Sequence, residues 1–280
     1  MLLGVLFGQY CQAQNEGRVG IFAGMNKTSL QNADDAAWGD MLPTFKPTVG
    51  VDAGYHFTLF KRMPMGFSAQ VAYNKLGQNY RGYYADSTNY FAYSRLNYMR
   101  VGLGMHFGSN MRRQVALTFS GGATFGFLTG YQDRYELIRY DNSRVILDVN
   151  NTNVALTDTF TENGTLSKSL YNKTDMTVFG TLGLDFLIGE NLVFGVNARL
   201  DYGLKPVETG GKFNIFYQTN PSSTVEYKPY NVKVKYRGPI SDLVTRAQTN
   251  NLFYGIYFSL KYRLYNKEKT EFWYRERNSK

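Results

Sequence analysis

The sequence predicts an all-β fold: eight antiparallel strands closed into a transmembrane up-and-down β-barrel, its apolar face turned outward. Three observations predict it. Apolar and polar residues alternate in eight separate stretches, at the period of a β-strand. The residues opposite the apolar rows are small or carry charges of both signs. The connections are alternately short and long, the plan of a transmembrane barrel.

Composition agrees. The 280 residues are 43% hydrophobic and 19% charged, which excludes general disorder. Tyr (23), Phe (20) and Gly (28) are abundant, a mix that suits strands and turns better than helices. Mean hydropathy is −0.36. Beyond the N-terminus no apolar run approaches the ~20 residues of a membrane-crossing helix. A helical membrane protein is thereby excluded, whereas barrel strands expose apolar residues only at alternate positions and keep mean hydropathy low. The net charge is +9, but the basic residues are scattered and form no nucleic-acid module. Nucleic acid is not an expected partner.

The strands follow in order. Arg18–Lys27 sets Val19, Ile21, Ala23 and Met25 against Gly20, Phe22, Gly24 and Asn26. Thr48–Leu59 sets Val49, Val51, Ala53, Tyr55 and Phe57 against Gly50, Asp52, Gly54 and His56. Phe67–Tyr80 and Asn97–Phe107 repeat the pattern, the latter with Met99, Val101, Leu103 and Met105 opposite Arg100, Gly102, Gly104 and His106. Val115–Tyr131 alternates Leu117, Phe119, Ala123 and Phe125 with Thr118, Ser120, Gly122 and Thr124. Met176–Ile188 carries Asp185 on its polar face, and Leu192–Leu204 carries Asn197, Arg199 and Asp201. The last, Leu252–Tyr265, sets Tyr254, Ile256, Phe258, Leu260 and Tyr262 against Tyr257, Ser259, Lys261 and Arg263.

Volume decides which face is inside. An eight-stranded barrel has room only for packed side chains, and these rows of Phe, Tyr and Leu would overfill it. The apolar face therefore meets lipid. The interior polar network is expected to comprise Arg18, Asp52, Arg100, Asp185, Arg199, Asp201, Lys261 and Arg263. Inward charges should pair, because an unpaired buried charge is costly; Arg199 is expected to pair with Asp185 or Asp201.

Residues 61–65, 109–114 and 189–191 are read as short periplasmic turns, and 28–47, 81–96, 132–175 and 205–251 as long extracellular loops. An even strand count places both termini in the periplasm. Residues 134–149 read as a hairpin turning at Asp141-Asn142-Ser143, and 223–238 as strand continued above the membrane. The 132–175 loop holds seven acidic and five basic residues, and 205–248 seven basic and three acidic. In the latter, Lys228, Lys233, Lys235 and Arg237 are candidate contacts for lipopolysaccharide phosphates or an acidic partner.

Residues 1–14 are read as a signal peptide, 15–265 as the barrel and 266–280 as a periplasmic C-terminal tail. The apolar run Leu2, Leu3, Val5, Leu6 and Phe7, with Ala13 beyond it, has the form of a cleaved leader. Its basic opening is missing, which points to a truncated or misassigned start. Cys11, the one cysteine, lies in a poor lipobox, and the mature chain would form no disulfide. In the tail, Phe272, Trp273 and Tyr274 are candidates for an interfacial anchor or a partner contact.

The stretches GIFAGMNKTSL (20–30), FKPTVGVDAGYHF (45–57), VAYNKLGQNYRGYY (71–84), LNYMRVGLGMHFG (96–108) and FGTLGLDFLIGENLVFGVNARLDYGL (179–204) occur in that order. Together they resemble the outer-membrane β-barrel domain of the PorT-like family, common in Bacteroidetes, over most of residues 18–265. The resemblance implies an eight-stranded outer-membrane barrel. Some members are accessory components of type IX secretion, and most have no assigned role. Many carry an acidic residue where this chain has Arg100, which implies a rearranged interior charge network.

Candidate chemistry is sparse. Outer-membrane barrel enzymes such as lipid A deacylases, palmitoyltransferases and omptin-like proteases use His with Ser, Asp or Glu near the outer rim. Here only His56 and His106 are available. Both point inward near the periplasmic ends of their strands, where Thr58 and Asp52 do not complete a base–nucleophile set for outer-leaflet lipid. Asp34, Asp35 and Asp40 near Trp38 read as a solvated loop rather than a cation site, and no metal-ligand spacing or phosphate loop occurs. No catalytic, cofactor-binding or metal residue is assigned, and no cofactor is expected. The expected function is a non-enzymatic structural or interaction subunit of a cell-envelope complex. Its expected partners are outer-membrane lipids, including lipopolysaccharide, and other envelope proteins. A rim enzyme acting on lipid or peptide and a small-solute channel are the alternatives.

Overall fold

The computed structural model describes residues 16–31, 41–60, 63–84, 88–108, 114–138, 144–151, 158–160, 164–166, 171–189, 191–208, 213–217, 226–230 and 249–264. Eight strands form the barrel: β1 (Glu16–Gln31), β2 (Thr44–Phe60), β3 (Met63–Tyr84), β4 (Thr88–Gly108), β5 (Val115–Ile138), β6 (Thr174–Ile188), β7 (Leu192–Gly203) and β8 (Asn250–Leu264). Each pairs antiparallel with its sequence neighbours, and β8 pairs with β1, so the sheet closes on itself. Closure leaves the barrel no edge within the membrane, where an unpaired backbone group would be costly.

The register fixes the shape. The row of paired residues that starts at Glu16 runs through His56, Gly66, His106, Ser120, Thr181, Arg199 and Gly255. It returns to β1 at Asn26, ten residues above its start. Eight strands with that stagger tilt by about 43° from the barrel axis.

The outward rows lie as expected. Ile21, Val51, Leu103, Leu182, Ile256 and Phe258 are among the most exposed large side chains, each over half accessible. Along β8 the outward apolar row runs from Leu252 to Leu264. At that tilt it spans about 25–30 Å, the height of an outer-membrane hydrocarbon band. Aliphatic side chains, with Phe258 among them, hold its middle. Tyr55, Phe67, Phe119 and Tyr262 ring it toward the short-turn end, and Tyr202, Tyr254 and Phe127 toward the other. Aromatic girdles of this kind mark the two membrane interfaces.

Glycine serves the interior at two places. A side chain at Gly50 would collide with the Phe22 ring, which fills that part of the lumen. Gly77 has φ +134° and packs against the Ser94 carbonyl, a conformation that L side chains rarely adopt. Gly77→Ala is expected to lower stability by more than about 1 kcal/mol, read as a shifted urea midpoint of the barrel folded in detergent.

Several expected connections are corrected. Thr28–Gln31 and Thr44–Pro47, expected in a loop, belong to β1 and β2, and Met63–Met65, expected in a turn, belong to β3. Residues 81–96 are not a loop. β3 and β4 stay paired from Met65↔Phe107 through Arg81↔Phe91 to Tyr84↔Thr88, and only 85–87 connect them. Above the headgroup level no lipid faces either side, so alternation fades from the sequence while the backbone groups still need partners. β5 extends likewise to Ile138 and pairs with a strand at Arg144–Asn151. The three long strands thus stand above the rim as a sheet on one side of the barrel. The expected turn at 141–143 lies outside the described residues. Two small hairpin pairings, Asp158–Phe160 with Gly164–Leu166 and Phe213–Tyr217 with Glu226–Tyr230, lie within the long connections.

Candidate functional site

From its short-turn end upward, the lumen holds three zones. The lowest is a chain of ions. Arg18 donates from Nε to Glu16 at 2.6 Å and from Nη1 to Asp185 at 3.0 Å. Arg263 donates to the second oxygen of Glu16 at 2.5 Å, and Lys261 meets Asp52 at 2.8 Å. His56 and His106 lie edge to face within this zone, their ring centroids 4.8 Å apart. Strand parity brings these side chains together from β1, β2, β4, β6 and β8, because alternate residues on every strand share the inner face.

The middle zone carries two arginines. Arg199 makes a two-pronged contact with Asp201, at 2.7 and 2.8 Å, and donates to Gln70 at 2.8 Å. Its guanidinium lies 4.1 Å from the Phe179 ring centroid. Arg100 pairs with Asp175, which also accepts from Asn251 at 3.1 Å, and sits 4.7 Å from the Phe253 ring. Both arginines line a cavity of about 10 Å³ together with Gln70, Thr124 and Tyr257, about enough space for one water molecule.

The upper zone mixes apolar side chains with the uncharged polar groups Thr28, Thr44, Gln78 and Ser94. Leu30, Leu76, Leu96 and Tyr98 are almost wholly buried. Two pieces of the long connections dip into the mouth and cover them. The Tyr171 hydroxyl donates to Ser94 at 3.2 Å, and its ring packs against Tyr131. Val207 is fully buried beside it, held by backbone bonds from Asn172 and to Thr249, each 2.8 Å.

All eight residues expected in the interior network face the lumen, and each has an oppositely charged partner. Of the two partners open to Arg199, the structure joins Asp201 and gives Asp185 to Arg18. Sequence reasoning missed two carboxylates, Glu16 and Asp175. Glu16 adjoins the stretch read as a leader, and Asp175 follows the polar run Asn172-Lys173-Thr174, which reads as loop. Carrying the alternation of β6 one residue back would have found Asp175. With both included, five cations and five carboxylates make up the network. The plug of Tyr171 and Val207 has no periodic signal.

The backbone of Lys228 belongs to the strand Glu226–Tyr230. Lys233, Lys235, Arg237, Phe272, Trp273 and Tyr274 lie outside the described residues, as do the leader, Cys11 and the Asp34-Asp35 loop. Among the described residues no group of three or more His, Cys, Asp or Glu side chains could hold a metal ion.

The profile of the outer membrane protein beta-barrel domain family matches residues 12–208. The chain belongs to that family. It is an outer-membrane β-barrel, and the family profile spans seven of its eight strands, with β8 beyond the match. No curated protein sequence matches it. Solved outer-membrane barrels are similar to it at low identity and low TM-score. A major outer membrane protein from Thermus thermophilus is 10% identical with TM-score 0.43, covering 89% of this chain and 99% of that one. OprG from Pseudomonas aeruginosa is 10% identical with TM-score 0.37, covering 92% and 99%. Neisserial surface protein A is 10% identical with TM-score 0.33, covering 88% and 96%.

Proposed function

We propose that this barrel is a non-enzymatic structural or interaction subunit of a cell-envelope complex, of the PorT-like kind. The reading has it stand in a Gram-negative outer membrane with both termini in the periplasm. An accessory place in protein secretion or outer-membrane assembly is the role the PorT-like resemblance favours. The observation that carries the reading is how the described residues occupy the lumen: paired ions below, two paired arginines beside a cavity of about 10 Å³ at mid-height, and a tyrosine-capped, uncharged zone above. A barrel packed in this way offers its partners the outer wall, the loops and the raised sheet of β3, β4 and β5. The two histidines lie among the ion pairs at the short-turn end, away from the rim where outer-leaflet substrates would sit.

The test is affinity purification of the full-length protein from solubilised outer membrane, followed by mass spectrometry. A defined set of envelope proteins is expected with the wild type and is expected to disappear when 205–248 or 266–280 is deleted. An obligate monomer in mild detergent would overturn the reading. So would single-channel conductance in planar bilayers, or loss of the cellular phenotype in a folded His56→Ala/His106→Ala variant.

A further inference from the structure

The outer wall is asymmetric in charge. Every acidic residue whose side chain is described (Glu16, Asp52, Asp175, Asp185, Asp201 and Glu208) contacts lumen or plug residues. Several described cations, in contrast, stand on the outside, and four of them lie near the long-loop end of the apolar band. On β1 Lys27 takes the next outward position after Met25, and on β3 Lys75 takes the next after Tyr73. On β4 Arg95 stands two outward positions beyond Met99. Lys205 follows Leu204, just past the end of β7.

Their aromatic contacts show which way three of them point. The Lys27 ammonium lies 5.7 Å from the centroid of Tyr254, and that of Lys205 lies 6.0 Å from Phe125. The Arg95 guanidinium lies 4.1 Å from Tyr93 and donates to Gln132 on the exposed surface. Tyr254 and Phe125 belong to the outward face of the wall. Long basic side chains at an aromatic girdle lay their stems on apolar surface and hold their charges at headgroup level.

We infer that Lys27, Lys75, Arg95 and Lys205 form a collar that binds the phosphate groups of lipids packed against the long-loop end of the barrel. Height selects a lipid over a soluble anion. A phosphate reaches this level against the wall when its acyl chains lie on the apolar band directly below, from Met25, Tyr73, Met99 and Tyr202 downward. Oriented phosphates there would meet cations with no carboxylate of the described wall competing for them. The inference rests on the membrane-spanning reading of the wall and is independent of any protein partner.

The experiment uses purified full-length protein in phosphatidylcholine vesicles doped with spin-labelled phosphatidic acid. The wall-bound fraction of label is compared with that of spin-labelled phosphatidylcholine. Phosphatidic acid is expected to be enriched several-fold at the wild-type wall. Each cation near an anionic surface contributes about a fivefold preference before salt screening. The variant Lys27→Gln/Lys75→Gln/Arg95→Gln/Lys205→Gln is expected to lose that enrichment and still migrate as a folded barrel. High salt is expected to abolish the enrichment in the wild type, and inorganic phosphate at matched concentration to leave it largely intact. Undiminished enrichment in the quadruple variant would overturn the inference. So would equal binding of the two labelled lipids by the wild type, or full displacement by inorganic phosphate. Should the quadruple variant misfold, single Gln variants read by the same assay are expected to lower the enrichment stepwise, and four silent singles would overturn the inference equally.

Discussion

Asp175→Leu is expected to destabilise the folded barrel by about 3–5 kcal/mol, the cost of stranding a buried charge. Arg100 and Asp175 have side chains only 3% and 1% exposed. Removing the carboxylate leaves the guanidinium with Thr177 and the faces of Tyr98 and Phe253, none of which carries a compensating charge. The double variant Arg100→Met/Asp175→Leu is expected to recover most of the loss, because replacing both ions by apolar groups of similar volume removes the desolvation penalty together with the attraction. Urea unfolding in detergent, followed by far-ultraviolet circular dichroism, measures both. A single variant as stable as the wild type would show that the pair contributes little to the fold.

Val196→Arg carries the second large effect. Val196 lies on the outward face of β7, in register with Leu184 and Phe258, both of which face outward. It sits in the middle of the band, opposite Phe258 and between the level of Phe194 and that of Tyr202. A charge at mid-bilayer costs roughly 2–4 kcal/mol on the lipid face. The variant is expected to yield little of the folded, heat-modifiable species when refolded into vesicles, while Val196→Leu should fold as the wild type does. Normal folding of Val196→Arg would place this row inside and invert the barrel.

The barrel was legible because lipid and lumen impose opposite demands on alternate residues. LVFGVNARLDYGL shows this in one strand: Leu200 and Tyr202 face out, and Arg199 and Asp201, two apart, share the inner face and pair. Arg18 and Asp185, 167 positions apart, could each be assigned to the lumen from its own strand. Their pairing follows from the stagger of the closed barrel, which no single stretch records. Legibility ended where the contrast between the two faces ended. Arg81–Tyr84 and Thr88–Ala92 stand above the headgroups with no lipid on either side, so their residues carry no alternation even though the ladder continues. Tyr171 and Val207 are set in place by chain that crosses the mouth, and a covering of that kind has no period.

The pairing of β8 with β1 also governs when the barrel can form. Its fifteen register pairs run from Gly17↔Leu264 to Gln31↔Asn250 and join the two ends of the described chain. Closing a loop of that length costs about 5 kcal/mol of chain entropy before those pairs form, and contacts so distant in sequence make folding slow. A nascent chain that has reached Leu204 already holds seven strands, yet both β1 and β7 would present open edges, and open edges are templates for aggregation. The strand synthesised first therefore waits longest for its second partner. Delivery of the whole chain in an unfolded, guarded state, followed by closure in one event at the membrane, is the assembly history that this seam demands.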